Sequence, residues 1–149
     1  MNDYKPILLA EDNTNDLELT LEGLAASNIA NGVTVVRDGA EALDYLYRRG
    51  KFSEREPADP VVVLLDLKMP RVDGLEVLRV VKSDLALRHI PIVMLTSSRQ
   101  ESDLIESYKL GVNAFVVKPV GFTEFISAVK QLGIFWALIN ERPLPPRKP

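Results

Sequence analysis

The sequence has 149 residues, of which 46% are hydrophobic and 26% are charged; it carries a net charge of -3 and contains no cysteine. This length suits one well-buried domain, and the composition excludes an intrinsically disordered chain. The lack of cysteine excludes disulfides and thiolate catalysis, while the slightly acidic balance gives no basis for binding nucleic acid or a membrane surface. Because no signal peptide or bilayer-length apolar run is present, we expect a cytoplasmic protein.

The chain begins with a predicted strand, a helix and a second strand. Residues 7–10 form a short apolar run that stops at two acids, Glu11 and Asp12. Residues 13–16 supply side chains that favour a helix start, and leucines then recur at helical spacing. The β-branched residues 33–36 predict the second strand.

A turn at Asp38-Gly39 leads into a second amphipathic helix that reaches Tyr47. Residues 48–60 are charged and contain glycine and proline, and this stretch exceeds the usual helix-to-strand connection of about two to six residues. We interpret it as a solvated loop. The alternative interpretation is a docking element for a specific partner.

The central strand is predicted where five apolar residues, 61–65, run directly into Asp66. A continuous apolar run, unlike an alternating one, is typical of a strand that is covered on both faces in a parallel sheet. Asp66 is therefore expected where a buried strand reaches the surface. Pro70 and the Asp73-Gly74 pair then turn the chain into a third amphipathic helix.

Two more strands are predicted in the second half of the chain. Residues 92–95 predict a fourth strand, which ends in the hydroxyl of Thr96. Residues 114–117 predict a fifth strand, which ends in Lys118 and is followed by Pro119. Both runs are continuously apolar or β-branched, as expected for strands in a parallel sheet.

The remaining elements are helices and a tail. A helix is expected around residues 104–108, closed by Gly111. The last helix is expected to be the longest, with an apolar stripe from Phe122 to Trp136. Prolines are concentrated in residues 141–149, so we expect a single domain over residues 1–140 and an extended or disordered tail.

Strand and helix alternate five times, which predicts an α/β fold. The predicted architecture is a doubly wound, five-stranded parallel sheet of order 2-1-3-4-5 with helices on both faces, which is a flavodoxin-like three-layer sandwich. Ligands of such sheets bind outside the carboxyl ends of the strands, next to the switch point between strands one and three. The polar residues at which the strands stop are expected to converge there: Glu11, Asp12, Asp66, Thr96 and Lys118.

These residue types indicate phosphoryl chemistry. Three carboxylates in one crevice repel each other unless a cation lies among them, and hard oxygen ligands without histidine or cysteine favour Mg²⁺ or the similar ion Mn²⁺. Such an ion takes phosphate oxygens as further ligands. Asp66 is then a candidate nucleophile that forms an aspartyl phosphate. Lys118 offsets the charge of the transferred group, and Thr96 donates a hydrogen bond to one of its oxygens.

Four ordered motifs resemble the receiver domains of two-component response regulators, over about residues 5–139. They are the acid pair Glu11-Asp12, residues 64–74 with the sequence LLDLKMPRVDG, Leu95-Thr96-Ser97, and residues 116–119 with the sequence VVKP. The resemblance implies that a histidine kinase phosphorylates Asp66. It also implies that Mg²⁺ is bound by Asp12, Asp66 and the backbone carbonyl of Lys68, with Glu11 acting through water.

The resemblance further implies a cis peptide bond before Pro119, which places the Lys118 side chain. It implies a switch in which Thr96 shifts toward the phosphoryl group while Phe115 turns inward. The output is then made through protein contacts, and the family implies a homodimer through the last helix, the fifth strand and the helix before it.

A subfamily resemblance narrows the expected kinase. The long connection at residues 48–60, the absence of an attached effector domain and the Phe135-Trp136 pair resemble the small stand-alone regulators that are paired with bacterial phytochromes. This resemblance implies a bacterial phytochrome as the histidine kinase.

Three other function classes are alternatives. An aspartate-nucleophile phosphatase usually places a second acid two residues after the nucleophile, and Lys68 stands there instead. A nucleotide-binding enzyme is disfavoured because no glycine-rich phosphate loop follows a strand. An adaptor that keeps the fold without phosphorylation is disfavoured because every expected site residue is present. We therefore expect a phosphoacceptor signalling protein that catalyses only its own phosphorylation and dephosphorylation, and not an enzyme with a separate substrate.

Overall fold

The computed structural model describes residues 6–26, 32–97, 109, 111 and 114–133. In order, the strands and helices of this part of the chain are β1 (Ile7–Ala10), α1 (Thr14–Ala26), β2 (Val33–Val36), α2 (Gly39–Tyr47), β3 (Val62–Asp66), α3 (Gly74–Ser83), β4 (Ile92–Thr96), β5 (Ala114–Val117) and α4 (Phe122–Gln131). Strands and helices alternate up to β4; most residues between β4 and β5 lie outside the described part. Within the described part, no helix is both long enough and apolar enough to cross a membrane.

The five strands form one parallel sheet in the order β2-β1-β3-β4-β5, which confirms the predicted topology. The register brings the ends of the strands to one edge: Ala10 is paired with Leu65, Asp66 with Leu95, and Thr96 with Val117. The residues that follow these strands therefore emerge side by side. This is the edge at which a doubly wound sheet binds its ligand.

Both faces of the sheet are buried, which explains why its strands are continuously apolar. In β3, Val63 and Leu65 belong to a hydrophobic cluster with residues of α2 and α3, while Val62 and Leu64 belong to a second cluster with residues of α1 and α4. All four side chains are fully buried. Each contributes about 1.5–3 kcal/mol to folding through burial, before chain entropy is subtracted.

Capping side chains start the three helices that follow β1, β2 and β3. The Asn13 side chain accepts a hydrogen bond from the backbone N–H of Asp16 at 2.9 Å, at the start of α1. Asp38 and Asp73 accept equivalent bonds at the starts of α2 and α3, at 2.8 and 2.9 Å. Each cap stabilises its helix by about 1 kcal/mol. α1 and α2 consequently begin within a few residues of the strand ends, whereas α3 begins at Gly74, after a longer turn.

Gly74 allows the start of α3 to approach the end of β3. A Cβ atom at this position would lie 2.2 Å from the backbone oxygen of Asp66, far inside van der Waals contact. Only glycine therefore permits this packing. The contact holds the backbone at Asp66 against the first turn of the following helix.

The connection at residues 48–60 is largely exposed, as expected of a solvated loop, but it also makes specific contacts with α2. It contains a short 3₁₀ helix at Gly50–Phe52, and the Phe52 ring packs edge-on against Tyr45 with centroids 5.2 Å apart. The Arg55 guanidinium lies 4.1 Å from the Tyr45 ring and donates hydrogen bonds to the backbone oxygens of Tyr45 and Ala58 at 2.7 and 2.9 Å. One arginine and one aromatic pair thus attach the connection to α2, which composition alone did not indicate.

The last helix ends earlier than predicted. α4 ends at Gln131, and Gly133 has a φ of +74°, in the left-handed region that terminates helices. Among the described helices α1 is the longest, with 13 residues against 10 in α4. The helix expected around residues 104–108, Trp136 and the proline-rich tail lie outside the described residues.

Candidate functional site

The ends of β1 and β3 bring three acids together, as expected from the sequence. Carboxylate oxygens of Glu11, Asp12 and Asp66 all lie within 4.8 Å of one another. Glu11 is completely buried and Asp66 is only 5% exposed, whereas Asp12 faces solvent. Two ionisable carboxylates therefore lie below the surface, with a third at the entrance.

Lys118 is the cation of this cluster. Its Nζ atom donates hydrogen bonds to Glu11 Oε1 at 3.2 Å, to Asp66 Oδ1 at 3.1 Å and to Asp16 Oδ2 at 2.8 Å. Its backbone N–H donates to the oxygen of Thr96 at 2.8 Å, which extends the sheet past the end of β5. The Lys118-Pro119 peptide bond is cis, as the resemblance implies.

Burial and the neighbouring charges shift the pKa values of both Asp66 and Lys118. Burial, the hydrogen bond with Glu11 and the charge of Glu11 raise the pKa of Asp66 to about 7, and Lys118 only partly opposes this shift. Burial alone lowers the pKa of Lys118, but the hydrogen bond to Asp16 and the charges of Asp66 and Glu11 outweigh it, so the pKa is raised above its usual value. Lys118 is thus firmly cationic, while Asp66 is destabilised as an anion.

The cluster lies in an open cavity of about 220 Å³, which is large enough for a hydrated ion or a phosphoryl group. The lining residues are Asp12, Asn13, Asp16, Asp66, Leu67, Lys68, Thr96, Ser97 and Lys118. Thr96 and Lys68 therefore border the same space as the acids. Phe115 is elsewhere: it is half-buried and packs against the hydrophobic cluster on the α2 and α3 side of the sheet.

Two residues of the site were missed in the sequence. Asp16 makes the shortest contact to Lys118, although its position suggested only a helix start. Arg37, directly after β2, donates from Nε to the backbone oxygen of Glu11 at 2.9 Å and from an Nη to that of Asp12 at 2.8 Å. The position of Arg37 directly after β2 could have identified it, because β2 ends at the same edge of the sheet as the other strands.

The donor set fits a hard divalent cation. Four carboxylates, those of Glu11, Asp12, Asp16 and Asp66, lie around one ammonium group within the described residues of the cluster. Burial and, after it, repulsion by Glu11 raise the pKa of Asp66. All available side-chain donors near the acids are oxygens, which favour Mg²⁺ or Mn²⁺ over softer metals. A divalent ion among Glu11, Asp12 and Asp66 would relieve this repulsion.

Comparison with known proteins identifies the family of this arrangement. The sequence profile described as "Response regulator receiver domain" matches residues 7–130. Response regulator Rcp1 from Synechocystis sp. is 38% identical over 135 residues, which cover 91% of this chain and 90% of that protein.

Solved structures agree with this similarity. The bacteriophytochrome response regulator AtBRR matches with a TM-score of 0.87 and 62% identity, covering 94% of this chain and 100% of that one. The Mn²⁺-bound form of Rcp1 matches with a TM-score of 0.72 and 38% identity, covering 95% and 99%. The acidic cluster is thus of the kind at which receiver domains bind a divalent metal. With the fold, the acid cluster and these relatives in agreement, the chain belongs to the response regulator receiver domain family.

Proposed function

We propose that this protein accepts a phosphoryl group on Asp66 from a histidine kinase and that the modification switches its contacts with other proteins. The observation that carries the proposal is the position of Asp66 at the end of β3. Its carboxylate lies within 4.8 Å of oxygens from Glu11 and Asp12, and 3.1 Å from the Lys118 ammonium. A nucleophilic carboxylate, ligands for a divalent ion and a cation thus surround one cavity.

The proposed reaction is a phosphoryl transfer between two side chains. A carboxylate oxygen of Asp66 bonds to the phosphorus of a phosphohistidine while the phosphorus–nitrogen bond breaks, and the leaving imidazole takes up a proton. The product is an aspartyl phosphate. Because only the ionised carboxylate attacks, the neighbours that lower the pKa of Asp66 promote the reaction, and Lys118 is one of them.

Each remaining residue has a proposed task. Asp12, Asp66 and the backbone carbonyl of Lys68 would hold the metal ion, with Glu11 acting through water. When bound, Mg²⁺ or Mn²⁺ supplies positive charge that offsets the oxygens of the transferred group. Lys118 donates to the same group. The Thr96 side chain shifts toward the phosphoryl group, and its hydroxyl contacts a phosphoryl oxygen in the product. The aromatic ring of Phe115 turns inward as Thr96 shifts, which changes the protein surface.

Phosphorylation with a small donor tests the proposal. Wild-type protein incubated with acetyl phosphate and Mg²⁺ is expected to gain one acid-labile phosphoryl group, measured by intact mass. Asp66→Asn is expected to take up at least about a hundredfold less, because the amide is not a nucleophile. Asp44→Asn, at a surface ion pair with Arg49, serves as the control and should react as wild type does. A stable adduct in Asp66→Asn would refute the assignment.

A bacterial phytochrome is the proposed kinase. The similarity to AtBRR, and to the bacteriophytochrome response regulator RtBRR at 61% identity and a TM-score of 0.85, supports this choice. A bacterial phytochrome kinase from the same organism, phosphorylated with a radiolabelled phosphoryl group, should therefore transfer all of its label to this protein. Over the same time, an unrelated histidine kinase should transfer no detectable amount. Equal rates from the two kinases, measured by loss of radiolabel, would contradict the proposed pairing.

Self-association is the proposed output of the switch. The described part of the predicted dimer surface comprises β5 and α4, which form a groove lined in part by Phe115, Val117 and Ser127. Phe115 belongs both to this groove and to the proposed switch, which would couple phosphorylation to the surface. We further propose that residues 1–140 act as one receiver domain and that residues 141–149 form a tail. We also propose that phosphorylation of Asp66 occurs in the cytoplasm and that the protein catalyses only its own phosphorylation and dephosphorylation.

A further inference from the structure

The hydrogen-bonding capacity of the Lys118 ammonium is fully used. An ammonium group has three N–H donors, and the structure directs them at three different carboxylates. The contact to Asp16 is the shortest, at 2.8 Å, compared with 3.1 Å to Asp66 and 3.2 Å to Glu11. A phosphoryl group bound at Asp66 can reach this ammonium only if one of these bonds is released.

Burial indicates which bond is released. The Glu11 side chain is fully buried and that of Asp66 is 6% exposed, whereas the Asp16 side chain is 32% exposed. A carboxylate that is released into water regains hydration, but a buried one does not. The bond to Asp16 is therefore less costly to give up than the bond to Glu11, even though it is the shorter of the two.

We propose that Asp16 is a positioning residue that holds Lys118 in the unphosphorylated state and competes with the phosphoryl group for its ammonium. This inference rests on the proposed role of Asp66 as phosphoacceptor. Asp16 lies in the first turn of α1 and lines the cavity, so it adds a fourth negative charge near an anionic ligand. Asp16 thereby sets how readily the site accepts a phosphoryl group, without contacting phosphorus itself.

The test compares Asp16→Asn with Glu18→Gln. The first variant removes the charge that pairs with Lys118 and keeps the shape; the second removes an equal charge from an exposed position of the same helix. The probe is the beryllium trifluoride anion, a phosphoryl analogue, titrated calorimetrically at saturating Mg²⁺. Asp16→Asn is expected to bind it about fivefold more tightly than wild type, the scale of one partly exposed ion pair. Glu18→Gln is expected to change binding less than about twofold.

Binding of Mn²⁺ alone separates this role from a structural one. Loss of a nearby negative charge should weaken Mn²⁺ binding by about threefold, whereas it should strengthen the binding of beryllium trifluoride. Asp16→Glu, which restores the charge, should return beryllium trifluoride affinity toward that of wild type. A variant that only disturbs the structure of α1 would weaken the binding of both beryllium trifluoride and Mn²⁺ and would lower the melting temperature.

The outcomes also separate this inference from the proposed function. If wild type binds beryllium trifluoride and Asp16→Asn binds it equally or more weakly, the role of Asp16 is refuted while Asp66 remains the acceptor. If wild type binds none at saturating Mg²⁺, both proposals fail. A structure of the bound complex with Lys118 Nζ still 2.8 Å from Asp16 would also contradict the competition.

Discussion

Lys118→Met is expected to destabilise the metal-free protein by about 3–5 kcal/mol near pH 7.5, because it leaves two buried carboxylates without their cation. The Lys118 side chain is 9% exposed and donates to Glu11, Asp16 and Asp66. The same variant should be phosphorylated by acetyl phosphate about a hundredfold more slowly, because a donor to the transferred group is lost. Urea denaturation measures the first effect, and intact mass against time measures the second.

Metal rescue distinguishes this effect from general loss of packing. Saturating Mg²⁺ should restore most of the stability of Lys118→Met, since a divalent ion supplies the missing positive charge, but it should not restore the phosphorylation rate. Lys51→Met is the control: it breaks a surface ion pair with Glu41 and should cost less than about 1 kcal/mol. Equal destabilisation of the two variants would mean that Lys118 does not neutralise a buried cluster.

The stability of the metal-free protein is expected to fall as pH rises toward 7, and Asp66→Asn is expected to remove this dependence. The folded-state pKa of Asp66 is about 7, raised from an ordinary value of 3.8. Between these values the folded protein keeps a proton that the unfolded chain has lost, so rising pH favours unfolding. Lys118, whose pKa is raised, stays protonated in both states throughout this window and contributes no slope.

The free energy of unfolding of Asp66→Asn, relative to that of wild type, should therefore increase by about 1–3 kcal/mol between pH 5 and pH 8 in the presence of EDTA. Urea denaturation across this range measures it, with Asp44→Asn as the control that should show no such growth. Saturating Mg²⁺ should reduce the difference, because the ion favours the ionised carboxylate in the wild type. If Asp66→Asn were less stable than wild type at pH 8 without metal, this result would contradict the raised pKa of Asp66 and the burial and repulsion that cause it.

The sequence predicted the fold because each strand carries its own signal. The continuous apolar run before Asp66 indicated a strand with both faces buried, and the structure divides its side chains between two clusters. The last helix shows the limit of such patterns. Its apolar stripe continues through Gly133, yet a single left-handed φ there overrides the periodicity and ends the helix earlier.

The site was predicted as far as strand ends alone could predict it. Glu11, Asp12, Asp66 and Lys118 were found because each lies at or just after the end of a strand whose neighbours followed from the predicted topology. Asp16 was missed because it belongs to a helix, and only the early start of α1 at Thr14 brings its first turn into the cavity. Helix starts and strand ends at one edge of a sheet should therefore be considered together.

The connection at residues 48–60 shows a different limit. Its glycine, proline and charged residues favoured a solvated loop over a docking element for a partner. The structure adds contacts within the chain, because Arg55 donates to backbone oxygens in α2 and in the connection itself and stacks on Tyr45. Such contacts of a single charged residue leave no periodic signal in the sequence.

Chemical mapping of the phosphorylated residue tests the central claim most directly. Sodium borohydride reduces an aspartyl phosphate to homoserine, which peptide sequencing by mass spectrometry locates in the chain. After treatment with acetyl phosphate and Mg²⁺, we expect homoserine at position 66 and at no other position of the cluster. Homoserine at Asp12 or Asp16, or a wild-type protein with unmodified Asp66, would contradict the proposal that β3 presents the phosphoacceptor.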